Sequence, residues 1–165
     1  TSYGAREVSA LFGPGAMANA EVLEAATFAS VWAENDGTGR FTIHELPVDA
    51  QFAPAFAVRP GDFDEDGLTD VMLAGNFTGV RPDRGQEAAG WGVLLRGTDQ
   101  AGAARFEAVD LAASGVVLPG EVRELSVFTD PRGRSHILAT RNDTTPLVLR
   151  PSRPAALASE PLATR

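Results

Sequence analysis

Residues 62–75 read DFDEDGLTDVMLAG, and the two halves of this stretch follow different rules. The first half is a turn. Asp62, Asp64, Asp66 and Asp70 stand at positions 1, 3, 5 and 9, and Gly67 at position 6 takes a positive φ without steric cost. The second half, Val71 to Ala74, is a short apolar run without helical period, which is how a buried strand reads. An acidic turn that runs directly into a strand belongs between β-strands and not between helices.

Moving outward, the same texture recurs. From Thr27 onward short apolar stretches alternate with Gly, Asp, Asn and Pro clusters, the pattern of an all-β domain. It predicts strands over 27–34, 40–46, 54–59, 69–75, 91–96, 105–110, 122–128, 135–140 and 146–150. Before it, residues 1–26 form an irregular or helical segment. Glu7 to Phe12 and Asn19 to Ala26 are candidate short helices, broken by Gly13, Pro14 and Gly15. After it, residues 151–165 read as an extended or disordered tail. The β domain itself spans 27–150.

Part of the pattern repeats. NDGTGRFTIHEL at 35–46 matches DQAGAARFEAVDL at 99–111, with Phe41 and Phe106 65 residues apart. TDVMLAGN at 69–76 matches SHILATRN at 135–142, with Asn76 and Asn142 66 residues apart. A β-rich period of this length predicts four-stranded antiparallel units stacked like propeller blades. Nine strands supply two to two and a half such blades, a partial propeller.

Composition narrows the function. The chain has 165 residues, a formal charge of −8 and 44% hydrophobic residues. That is enough apolar content for a core, and the wrong sign for nucleic-acid binding. No apolar run is long enough to span a membrane. No signal peptide is present, so an exported chain would have lost its leader. Cys and Lys are both absent, and all 14 basic residues are Arg. This removes disulfides, thiolate chemistry, Schiff bases and P-loop lysines.

The acids of 62–70 carry the chemistry. Asp62, Asp64, Asp66 and Asp70, with the Leu68 carbonyl, can converge as oxygen ligands of one Ca²⁺. Together with Glu65 they repel strongly unless a cation sits among them. Position 12 is Leu73 and not a bidentate Glu, so this is not an EF-hand. At the 66-residue offset Asp62 aligns with Phe128, Asp64 with Asp130, Asp66 with Arg132, Gly67 with Gly133 and Asp70 with His136. This second loop keeps its glycine and one acid, and is expected to bind no metal. Arg132 is placed to act as a fixed cation toward Asp130.

The Asp62–Asp70 motif, NDGTGRF upstream and the apolar strand downstream resemble the FG-GAP/VCBS repeat of integrin-type β-propellers. AQFAP at 50–54, DFDEDGLTDVMLAGNF at 62–77, GVRP at 79–82, GEVRELSV at 120–127 and TRND at 140–143 are similar to the C-terminal repeats of large bacterial VCBS or ASPIC-type proteins. The resemblance covers roughly 27–150. It implies a calcium-stabilised, exported protein that binds or scaffolds and does not catalyse. Relatives of that kind close six or seven blades, whereas this chain has about two, so its open faces are expected to be covered by a protein partner.

Other roles stay open. One is an accessory periplasmic subunit of a membrane-embedded complex, a photosynthetic reaction centre–light-harvesting complex among them. Another is a carbohydrate-binding or adhesive module with a calcium-ordered, glycan-facing loop. A hydrolase is the third, although no catalytic set is present. The long connection 76–92 offers Arg81, Asp83, Arg84 and Trp91 as a contact surface, Arg and Trp being favoured anchors. His44 and His136 read as structural, and Trp32 and Phe41 as partners across a hairpin.

Overall fold

The computed structural model describes residues 4, 7, 10–12, 15–18, 20, 21, 23–81, 83, 85–100 and 103–150. The expected tail at 151–165 and Arg84 lie outside them. The protein is mostly β. Its strands are β1 (Val31–Asn35), β2 (Phe41–Glu45), β3 (Ala55–Gly61), β4 (Asp70–Gly75), β5 (Val93–Gln100), β6 (Ala103–Val109), β7 (Val122–Thr129), β8 (Ser135–Arg141) and β9 (Leu147–Leu149). Each falls on one of the nine expected stretches. The first begins later than expected, because Phe28 is left 95% exposed and pairs with nothing that would extend the ladder.

Of the two expected N-terminal helices, residues 8, 9, 19 and 22 lie outside the described ones; Ala10 sits in a 3-10 helical turn, and 20, 21 and 23–26 are not helical. Ala10 N–H bonds Glu7 O at 3.0 Å and Ala18 N–H bonds Gly15 O at 3.1 Å, isolated turns of the i to i+3 kind. The described part of 19–26 is irregular. The cause is physical: Leu23 is 85% exposed with no apolar surface to dock on, and so short a helix is not stable alone.

The strands form three antiparallel sheets, none closed, ordered β1-β2, β3-β4-β5-β6 and β7-β8-β9. The four-stranded sheet is covered on both faces. Met72 and Ala74 of β4 join Ala57, Val122, Leu125, Ile137 and Ala139 in one core, against β7 and β8. Leu73 of the same strand joins Leu95 and Ala50 in a second core, with Val71, Val93, Phe106 and Leu46 around it. A strand that feeds a core on each side needs apolar residues at every position, which explains the unbroken Val71–Ala74 run. On the second side Trp32 of β1 meets Phe106 edge-on at 5.4 Å. Trp32 stacks on His44 at 4.4 Å, not on Phe41. Register places Trp32 opposite His44 and Phe41 opposite Asn35, so the two rings lie on opposite faces.

The pairing registers reveal a structural repeat. Ala57 pairs with Ala74 and Glu124 with Thr140, and each ladder shifts register just before that pair, at Ala55/Ala57 and Val122/Glu124. Asn76 N–H bonds Pro54 O at 3.1 Å and Asn142 N–H bonds Glu121 O at 3.0 Å. Thus β8 follows β4 by 66 residues while β7 follows β3 by 67. The second connecting loop is one residue shorter. Asp62 therefore corresponds to Thr129, correcting the alignment with Phe128.

Candidate functional site

The β3–β4 ladder ends on the pair Gly61–Asp70, leaving 62–69 as the connection. The backbone takes left-handed φ at Glu65 (65°) and Gly67 (88°), which turns the loop back on itself. Side chains fix this path. The Asp62 carboxylate accepts from Asp66 N–H at 3.2 Å and Gly67 N–H at 3.0 Å. Asp64 also accepts from Asp66 N–H, at 3.3 Å. Phe63 packs against the first core and anchors the loop at its base.

Asp70 is the buried member, 1% exposed. It accepts from Phe63 N–H at 2.8 Å and from Gly97 N–H of β5 at 2.9 Å. Burial pushes its carboxyl above the ordinary range; the two N–H bonds oppose this, and Asp64 and Asp66 reinforce it. Gly97 is required beside it: a Cβ there would lie 2.2 Å from Thr69 O.

The structure brings Asp62, Asp64 and Asp70 together, with one carboxylate oxygen of each within 4.8 Å of the others. Two oxygens held at 2.3–2.6 Å from one Ca²⁺ can be no more than about 5 Å apart, so the donor set fits such an ion in chemistry and span. Asp66 is not part of this group; its carboxylate accepts from Leu68 N–H at 2.8 Å. Leu68 is exposed on the same turn. The neighbouring cation is Arg96 of β5, whose Nε lies 2.7 Å from Asp64. Reading along the chain does not find Arg96, which arrives from a different strand.

The equivalent hairpin is built differently. The β7–β8 ladder ends on Thr129–Ser135, and Gly133 again has positive φ (77°). Asp130 accepts from Arg132 N–H at 2.8 Å and Arg134 N–H at 2.9 Å, and pairs with the Arg134 guanidinium at 2.8 Å. His136, where Asp70 stands in the first hairpin, donates Nε2–H to Asp130 at 3.1 Å, and its buried Nδ1 has no partner. These bonds hold the Asp130 carboxyl well below the usual range, the Arg134 N–H contributing most. The side-chain cation is thus Arg134, with His136 as a further hydrogen-bond donor; Arg132, expected as the cation, contributes its backbone N–H.

The connection 76–92 is pinned at its base. Asn76 is 2% exposed and has positive φ (77°). Its amide donates to Gly90 O at 2.7 Å and Gly120 O at 3.0 Å, and accepts from Gly90 N–H at 2.9 Å. Phe77 and Glu87 exchange backbone bonds at 2.8 and 2.9 Å. Arg81, Asp83 and Trp91 are exposed on this connection. Its floor is a hydrogen-bonded node centred on Glu121. Glu121 accepts from the Thr78 hydroxyl and N–H, from Arg123 at 2.6 Å and from Asn142 at 2.9 Å. Thr78 above all, then Asn142, holds the Glu121 carboxyl down to about 2. His44 has a structural setting, stacked on Trp32 and 3.0 Å from Glu34.

No protein-family model matches the chain, and neither curated proteins nor solved structures give a significant match.

Proposed function

We propose that this chain is a calcium-stabilised, non-catalytic scaffold or interaction subunit that works outside the cytoplasm and is completed by a protein partner. The observation that carries the reading is the convergence of Asp62, Asp64 and Asp70 within 4.8 Å, with Arg96 as the one cation paired to them among the described residues. Asp62, Asp64 and Asp70 would ligate the ion, with the Leu68 carbonyl and Asp66 on the same turn as further oxygen donors. An ion there neutralises the mutual repulsion and fixes β3 to β4 at one geometry. A small set of carboxylates on an exposed turn suits the weak calcium sites of extracellular modules, with Kd about 10⁻⁴–10⁻³ M. The three sheets are read as consecutive units of a partial β-propeller of the FG-GAP/VCBS kind, supported by the shared register shift and the Asn76/Asn142 equivalence.

Thermal melting in calcium and in chelator tests this. Calcium at 100 times its Kd contributes about 2.7 kcal/mol, a rise in Tm of roughly 5–10 °C for a chain of this size. Superimposable melts overturn the structural ion.

A further inference from the structure

We propose that a second copy of this chain stacks head to tail on the open end faces of the sheets. The inference rests on the reading of an incomplete repeat stack and names what completes it.

Register assigns each sheet two kinds of face. Val71 pairs with Leu95 and Ile137 with Leu149, so these two pairs are equivalent. Val71, Leu73 and Leu95 point toward Leu46 and Ala50, which follow β2, on the side where Trp32 of β1 meets Phe106. Their counterparts Ile137, Ala139 and Leu149 point toward the preceding sheet. Met72, Ala74 and Leu94 point toward the following sheet. Their counterparts Leu138, Thr140 and Val148 therefore form the far face of β7-β8-β9, where Phe128 is 41% and Val148 46% exposed.

The other end carries the opposite kind of face. Phe41 and Ile43 are the counterparts of Phe106 and Ala108, which in the four-stranded sheet pack against the core of Ala50, Leu73 and Leu95, Phe106 also meeting Trp32. In β1-β2 nothing among the described residues covers them, and Phe41 is 61% and Ile43 57% exposed, beside Val31 at 37%. Each end thus lacks the kind of face that the other end displays. The pairing missing at both ends is the one that β3-β4-β5-β6 makes with β7-β8-β9 inside the chain, and a second copy supplies it. Such a contact is heterologous: it propagates until a ring closes or a filament forms. A symmetric dimer would instead place like face on like face.

The test is mass against concentration in calcium, by sedimentation or light scattering, for the wild-type chain, Ile43→Asp and Val148→Asp. Wild type should exceed the monomer mass increasingly with concentration, and each variant alone should be monomeric. Their equimolar mixture should form a two-chain species and stop there, because each variant keeps the one face that the other has lost. Both sites are exposed; Ile43→Thr and Val148→Thr, which suit a strand, replace any Asp variant that fails to fold. A wild type that is monomeric at every concentration overturns the proposal. So do variants that still associate alone, or a mixture that does not associate. The calcium-dependent rise in Tm is independent of these outcomes, so failure here is separable from failure of the metal-stabilised scaffold.

Discussion

The connections β3–β4 and β7–β8 close equivalent hairpins, yet they dispose of negative charge in opposite ways. In the second, one carboxylate is met by Arg134 and His136 from its own hairpin. In the first, Asp62, Asp64 and Asp70 converge and the cation paired with them is Arg96, from another strand. The position of Asp70 is the pivot. A buried carboxylate there adds charge to the cluster, whereas histidine at the same place donates to the loop acid. One hairpin is finished by its own side chains; the other, on the function proposed above, would be finished by an ion from solution. The comparison predicts that substitutions in the first loop change the response to calcium and that those in the second do not.

The largest effect is expected from Gly97→Ala. The new Cβ would meet the Thr69 carbonyl at 2.2 Å, and that oxygen is backbone held by the loop. The strand or the loop must move, at a cost of about 3 kcal/mol. The same shift pulls Gly97 N–H away from Asp70, so calcium stabilisation should fall as well. Denaturant unfolding with and without calcium measures both. A variant as stable as wild type would show that the loop is not seated on β5.

Asp70→Ala comes next. It orphans the Phe63 and Gly97 N–H groups, at about 1–3 kcal/mol for each that is left buried and unpaired. It also relieves repulsion with Asp64 and Asp66. The loss should therefore be larger in calcium than in chelator. Equal losses would detach Asp70 from the ion.

Asp130→Ala sharpens the other side. It removes the acceptor for Arg132 N–H, Arg134 and His136, so Tm should fall. The gap between calcium and calcium-free melts should stay at its wild-type size. If that gap shrinks, the second hairpin takes part in the metal response and the contrast between the loops is lost.

These contrasts divide by what a linear sequence can carry. The strands were legible because each is a short apolar run ended by its own turn residues. Asp62, Asp64 and Asp70 were legible because a turn brings near neighbours together. Arg96 and the Glu121 node were not, since both depend on contacts between strands far apart in sequence. The second loop was legible as a loss of acids; the partners of Asp130, Arg134 and His136, depend on a connection one residue shorter than the 66-residue alignment assumes. Residues 20, 21 and 23–26, expected as helix, are irregular for the reverse reason: local propensity was present, but Leu23 finds no packing surface.

The smallest effect lies in pH, where the two loops should act with opposite sign. Asp130 and Glu121 titrate in the folded chain below their ordinary values of 3.8 and 4.5. The unfolded chain then binds more protons, so their stabilisation is complete above those values and is lost as pH falls below them. Asp70 titrates above 3.8 when folded, so here the folded chain binds the extra proton. Its destabilising charge is present at neutral pH and is relieved as pH falls toward 3.8. Calcium-free protein should therefore gain Tm slightly on mild acidification before losing it below about pH 4. Calcium should abolish the gain, because the ion compensates the charge that the proton would remove. Asp70→Asn should also abolish it, whereas Glu121→Gln should shrink only the acid loss. A calcium-free profile that falls steadily from neutral pH would mean that the Asp62–Asp70 loop, like its counterpart, already contains its own compensation.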